Sequence, residues 1–361
     1  HPDVVAGMIQ IYKDWITNYD IDGFRVDTVK HVNLEFWQQF APQILAHAKA
    51  EGKPDFFIFG EVYSGNEVLL SHYTSRAGFP AVLDFRFQEQ VRSYVSGGGA
   101  SDILRDLYAD DDYFTDADSN VYALPTFIGN HDRGRFGWFL DVDNSGALPD
   151  AEKLDRSRLA HALMYFGRGV PVVYYGDEQG FVGDGGDKDA RQDMFPSQVP
   201  SYNDDDLMGT DATTADDNFD PSHPLYTSYA EYAAIYHAHQ ALRTGAQLHR
   251  YSQGLAGIYA FSRIDRDEKV EYIVAFNNAN STQNATFGTD SPDTSFTAVH
   301  PAGAPVITSD ASGQVSVSLP ALGFVIYKAD APLPASDAAP GILFSTLSPD
   351  QEVMLETPVL D

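Results

Sequence analysis

Apolar positions recur at helical spacing from the start of the chain. Val4, Val5, Met8, Ile9, Tyr12, Trp15 and Ile16 follow Pro2 at intervals that predict an amphipathic helix. It leads into Gly23-Phe24-Arg25-Val26, a short apolar strand. A second helix is predicted from Asn33, as N-cap, through Phe36, Trp37, Phe40, Ile44 and Leu45 to a stop before Gly52. Phe56-Phe57-Ile58-Phe59-Gly60 is almost continuously apolar, the mark of a parallel strand covered on both faces. Strand-like runs return at 81–85, 124–129 and 170–176, with helical stretches around 87–94, 135–140 and 154–166. Strand and helix in alternation predict an α/β fold with parallel strands and helical crossovers. Such folds gather their chemistry at the C-terminal ends of the strands.

The texture changes after Gly176. Residues 176–224 are rich in Gly and Asp, a loop region long enough to be functional. A helix over 226–242 closes the α/β part, and short β runs at 257–261, 271–276 and 323–327 predict an antiparallel sandwich. The expected domains are therefore 1–245 for the α/β unit and 246–329 for the sandwich. A Pro- and Ala-rich linker over 330–341 follows, and 342–361 reads as the start of a further β module cut short.

Composition narrows the function. A chain of 361 residues suits about two domains, and a formal charge of -29 argues against binding nucleic acid or anionic membranes through bulk charge. With no cysteine, disulfides and thiolate metal sites are excluded. No apolar run approaches the roughly 20 residues that span a bilayer. The opening His1-Pro2-Asp3-Val4-Val5 lacks the basic and apolar regions of a signal peptide and predicts that the natural N-terminus lies elsewhere.

Carboxylates stand at the ends of three predicted strands: Asp27, Glu61 and Asp132. Alternation along a strand puts Arg25 and Asp27 on the same side, where a guanidinium favours the charged carboxylate. Taken alone, this is either a strand-end ion pair or a nucleophile.

The motifs around these acids resemble those of the α-amylase clan, glycoside hydrolase family 13. Gly23-Phe24-Arg25-Val26-Asp27 with Lys30-His31 is similar to its second signature region, Phe59-Gly60-Glu61-Val62 to its third, and Phe127-Ile128-Gly129-Asn130-His131-Asp132 to its fourth. The stretch 169–178 resembles the eighth strand of that family's barrel. The resemblance implies a partial TIM (β/α)8 barrel, strands four to eight only, followed by the antiparallel β-sandwich domain C. The first signature region and the domain inserted after the third strand have no counterpart here, which predicts a chain truncated at both ends. An open half-barrel of this kind exposes apolar edges, and by itself is expected to fold poorly and to be inactive.

The same resemblance implies site roles. Asp27 takes the place of the nucleophile, Glu61 of the acid/base, and Asp132 of the acid that holds sugar hydroxyls. Retaining glycosidases set two such carboxyls about 5–5.5 Å apart. Arg25 holds Asp27, His31 and His131 donate to sugar hydroxyls, and Lys30 serves an aglycone subsite; of the aromatics near the strand ends, Phe24, Tyr63, Tyr174 and Tyr175, which either stack on sugar or fill the core, Tyr63 is the one expected at a sugar. Arg191 and Asp193, in a segment resembling the loop after the eighth strand, either pair or meet substrate. The implied activity is retaining hydrolysis of α-1,4-glucosidic linkages in starch, maltodextrin or related α-glucans, at an extracellular or periplasmic location. Lys30-His31 favours an α-amylase over a branching or sucrose-active relative. The alternatives are an α-glucan transglycosylase, a pullulan- or cyclodextrin-degrading relative, and a non-catalytic scaffold homologue.

One motif is independent of the family. Asp141-Val142-Asp143-Asn144-Ser145-Gly146, with Glu152, matches a calcium loop: oxygen ligands from Asp141, Asp143, Ser145, the Ala147 carbonyl and Glu152, with glycine at the sixth position. Pro149 is unusual at the ninth position. Calcium is the one cofactor expected.

Overall fold

The computed structural model describes residues 1–116 and 119–334. The proposed linker beyond residue 334 and the β module over 342–361 lie outside the described residues.

Pro2, placed in the first turn where a missing N–H costs nothing, starts α1 (Pro2–Tyr19), which ends at Asp20 in the left-handed conformation. Ile9 and Ile16 bury its inner face against α2 (Leu34–Ala50), while Val4, Ile11, Trp15 and Tyr19 on the other flank are exposed. Between the helices, β1 (Gly23–Val26) pairs in parallel with β2 (Phe57–Gly60), Arg25 opposite Phe59. Only glycine fits at position 23, since a Cβ there would meet the Phe57 carbonyl oxygen at 2.4 Å. In turn β2 pairs in parallel with β3 (Ala81–Val82). The Asp84 amide donates to the Pro125 carbonyl (3.0 Å), carrying the succession to β4 (Pro125–Thr126), which pairs in parallel with β5 (Val170–Pro171). Two parallel groups, β1-β2-β3 and β4-β5, thus follow in chain order, with α3 (Glu67–Ser75), α4 (Phe85–Val91), α5 (Asp102–Ala109), α6 (Phe136–Asp143) and α7 (Asp150–Phe166) in the connections after β2.

The paired strands are shorter than the apolar runs that signal them. Residues 170–176 read as strand, but Tyr174 and Tyr175 turn over the buried Arg135 guanidinium. The run at 81–85 breaks at Asp84, whose carboxylate caps α4 by accepting from the Phe87 amide (2.8 Å). The helix expected over 226–242 is two: α8 (Pro224–Ala238) and α9 (Gln240–Thr244), separated by an extended His239 whose ring meets the Tyr272 hydroxyl at 3.1 Å.

The C-terminal part is antiparallel. A six-stranded sheet has the order β11-β10-β13-β8-β7-β6, from β6 (Ala246–Tyr251), β7 (Ile258–Ile264), β8 (Glu271–Asn277), β10 (Ser295–His300), β11 (Ile307–Thr308) and β13 (Phe324–Ala329). Against it lies the pair β9 (Gln283–Gly288) and β12 (Gln314–Leu319). The outer face of β7 and β8 supplies Tyr259, Phe261, Tyr272 and Phe276 to the core that holds Phe139, Leu163 and Phe166 of the helical layer. Buried polar contacts fix this junction: the Tyr94 hydroxyl donates to the Gly257 carbonyl (2.8 Å), and the Asn278 side chain donates to the Tyr94 carbonyl (2.6 Å).

Candidate active site

Asp27 lies one residue past β1, and Thr28 beyond it is left-handed, with φ of 52°. That turn aims the Thr28 amide across to the end of β2, where it donates to Glu61 Oε2 at 2.9 Å. The backbone adds two bonds between the same strand ends, Glu61 N to Val26 O (2.8 Å) and Val29 N to Glu61 O (3.0 Å). Arg25 Nη1 donates to Asp27 Oδ1 at 3.0 Å, as the alternation of β1 predicts. The two acids differ in setting: the Asp27 side chain is 65% exposed, whereas Glu61 is 9% exposed.

Asp132 follows β4 in a turn built by Asn130, whose side-chain oxygen accepts from the amides of Asp132 (3.0 Å) and Arg133 (2.7 Å). His131 Nε2 stands 3.0 Å from Asp132 Oδ2, and Arg191 Nη2 lies 3.6 Å from Asp132 Oδ1 and 3.0 Å from Asp187. Arg191 therefore faces Asp132 and Asp187. An open cleft of about 630 Å³ brings together Asp27, Glu61 and Asp132 with Arg25, His31, Tyr63 and His131. Lys30, the remaining residue of the expected set, reaches the Tyr63 carbonyl (2.9 Å).

Arg191, which the sequence left between pairing and meeting substrate, lines the cleft, as does Thr28, which carried no expectation from the sequence. Behind it, Arg135 is fully buried, donating to Gln192 Oε1 (2.5 Å) and the Tyr175 carbonyl (2.7 Å), with the Tyr174 and Phe181 rings at 4.5 and 4.8 Å. Burial lowers the pKa of its guanidinium, which Asp177 opposes. The sequence signal for Arg135 is position alone: it lies three residues after Asp132 of the Asn130-His131-Asp132 motif.

In the structure the acids of the calcium loop expected at 141–152 stand in ion pairs. Helix α6 runs on through Asp143, so the first and third ligand positions are helical. Each acid is taken by a cation: Asp141 by Lys153 (2.6 Å), Asp143 by Arg92 (2.6 and 2.9 Å), and Glu152 by Arg156 (2.8 Å). Ser145, at φ of 54°, and Ala147 lie in the turn before α7, the latter donating its amide to Asn144 (3.0 Å). Among the described residues, the acids whose ligand atoms gather within 4.8 Å of one another are Asp184, Asp204 and Asp205, in the loop region after β5.

Parallel strands with acids at their C-terminal ends, opening on one cleft and backed by an antiparallel sandwich, define a barrel-type glycoside hydrolase architecture. The chain belongs to the α-amylase family, glycoside hydrolase family 13: residues 1–258 match the family described as alpha amylase, catalytic domain, and residues 253–330 the alpha amylase, C-terminal all-beta domain. It is 46% identical over 341 residues to an alpha-amylase of Streptomyces lividans, covering 94% of this chain and 37% of that protein. A cyclomaltodextrin glucanotransferase of Niallia circulans is 32% identical over 200 residues, which covers 53% of this chain and 24% of the relative. The crystal structure of an alpha-amylase from Geobacillus thermoleovorans, complexed with acarbose, superposes with a TM-score of 0.71 at 25% identity, covering 91% of this chain and 64% of that one. The chain thus spans little more than a third of the length of the Streptomyces relative.

Proposed function

We propose that the protein containing this chain is a retaining α-glucan hydrolase that cleaves α-1,4-glucosidic linkages in starch or maltodextrin. A carboxylate oxygen of Asp27 attacks the anomeric carbon while Glu61 gives its proton to the departing glycosidic oxygen. The glycosyl ester on Asp27 is then displaced by water, whose proton returns to Glu61. Asp132 and His131 hold sugar hydroxyls, and the negative charge of Asp132 favours the oxocarbenium-like transition state. The observation that carries this reading is the meeting of Asp27, Glu61 and Asp132 in one cleft at the ends of parallel strands.

The five strands correspond in this reading to the fourth to eighth of a (β/α)8 barrel, with domains 1–245 and 246–329. The motif order supports this, as does β1, which among the described residues pairs with β2 alone. The location is extracellular or periplasmic, as an acidic chain acting on polysaccharide suits. No helix among the described residues is long and apolar enough to cross a membrane.

Release of reducing sugar from starch by the natural protein tests the assignment. Asp27→Asn is expected to lower turnover by about a thousandfold or more, the scale on which loss of a covalent nucleophile acts. Glu61→Gln is expected to be inactive on starch, yet to form the glycosyl intermediate from a substrate whose leaving group needs no proton. Activity retained in Asp27→Asn, or no rescue of Glu61→Gln, overturns it.

A further inference from the structure

Arg133 directly follows Asp132 but does not line the cleft. Its guanidinium donates from Nη1 to the Tyr63 hydroxyl (3.0 Å) and from Nε to Gln88 Oε1 (3.1 Å). Gln88 is fully buried on α4, and its amide donates in turn to the Ile128 carbonyl at 3.3 Å. A buried amide therefore fixes the direction of the guanidinium, and the guanidinium fixes the tyrosine. Glu89 Oε1, 3.8 Å from Arg133 Nη2, balances the charge.

Tyr63 is held at two further points. Lys30 Nζ donates to its carbonyl (2.9 Å), and its ring packs 4.8 Å from that of the buried Phe85. The next turn lies tightly on α4, since a Cβ at Gly65 would fall 2.1 Å from Glu89 Oε2. With backbone, ring and hydroxyl all fixed, Tyr63 still leaves 43% of its surface open on the cleft. It stands two residues beyond Glu61, the group assigned to the departing oxygen, and its carbonyl is held by Lys30, the residue that the family resemblance gives to the aglycone subsite; in this reading Tyr63 faces the leaving sugar and the acceptor. A ring ordered in advance stacks on a sugar without losing its own rotamer freedom at binding.

We propose that Arg133 is a positioning residue: it locks Tyr63 as a rigid acceptor-side wall, and so sets how the glycosyl intermediate on Asp27 divides between water and a sugar hydroxyl. The inference rests on the proposed function. In both branches the ester bond to Asp27 breaks and Glu61 takes the acceptor's proton. Only the incoming oxygen differs, and a sugar needs the stacked ring where water does not.

The test uses the natural protein carrying Arg133→Gln, Tyr63→Phe, or both. Tyr63→Phe keeps the ring, removes only the tethering hydroxyl, and leaves the buried Gln88 relay intact if Arg133→Gln folds poorly. On concentrated maltooligosaccharides, each single variant is expected to lower the ratio of transfer to hydrolysis by about three- to tenfold, and the double variant no further, because the two side chains act through one bond. Hydrolysis of α-maltosyl fluoride, which has no leaving sugar, stays within about twofold in Arg133→Gln. Multiplying effects in the double variant, an unchanged ratio, or an equal loss on the fluoride and the oligosaccharides overturns the inference. Wild type without glycosidase activity would instead overturn the proposed function.

Discussion

The Thr28 amide and the Glu61 carboxylate are joined by a 2.9 Å hydrogen bond that crosses from the end of one strand to the end of the next. Thr28 can aim that N–H only because its backbone is left-handed, at φ of 52°, a conformation that is costly for a β-branched residue. Thr28→Gly keeps the N–H and removes the strain. Relief of order 1 kcal/mol and the larger backbone entropy lost by glycine nearly cancel, so stability should change by less than about 1 kcal/mol. Turnover on starch should fall several-fold as Glu61 is held less firmly. Urea unfolding alongside steady-state kinetics checks both, and a full loss of stability would show that the turn is held for other reasons.

Arg168 is the polar centre of the α/β unit. It is 1% exposed and bonds both to Asp84, the cap of α4, and to Asp111 at 2.7 Å. Arg168→Leu strands the buried Asp84 carboxylate and the partly buried Asp111 and is expected to cost about 3–5 kcal/mol. Adding Asp84→Asn should recover part of that loss, since the neutral amide still caps the helix. Chemical denaturation of the single and double variants distinguishes this from a simple packing defect, for which the second change would only add damage.

Asp205 carries the sequence's acidity into a poor setting. Burial, reinforced by the carboxylates of Asp184 and Asp204, pushes its pKa up to about 6, and its Oδ2 has no hydrogen-bond partner. The folded state therefore binds its proton more tightly than the unfolded chain. Stability falls as pH rises from about 4 to about 6, and the cost is complete above that window. Asp205→Asn should raise stability at pH 7.5 by about 1 kcal/mol, discounted for partial solvent exposure, and leave pH 4 unchanged. Melting curves at the two pH values decide it; equal shifts at both would remove the electrostatic cause.

The 141–152 segment makes a contrasting case. With Asp141 paired to Lys153 on a partly exposed surface, Asp141→Ala should cost at most about 1 kcal/mol and leave calcium affinity unaltered in calorimetric titration. A weakened calcium isotherm in this variant would return the segment to its role as a metal loop.

Much of the site was legible in the chain because its chemistry is local. Asp27, Glu61 and Asp132 each close an apolar run, and a short buried strand ending in a polar residue carries its own address in period and length. The sandwich was legible for the same reason, from short alternating or apolar runs between turn residues. Strand ends were not, because an apolar residue serves equally in a ladder or folded over a buried cation. Tyr174 and Tyr175 over Arg135 took the second course.

What the tertiary structure alone decided is the partner of each charge. Nothing local tells that Asp143 will meet Arg92, 51 positions away, or that Arg133 will reach Tyr63 across 70 and Arg168 will reach Asp84 across 84. A carboxylate at calcium-loop spacing is a ligand or half of an ion pair according to what the fold brings beside it. The residue types and their order determined the strands and the three acids at their ends. Contact across the assembled fold, since a hydrogen-bonded ion pair forms only when the two groups are brought within a few ångströms, determined which of the remaining charges could act.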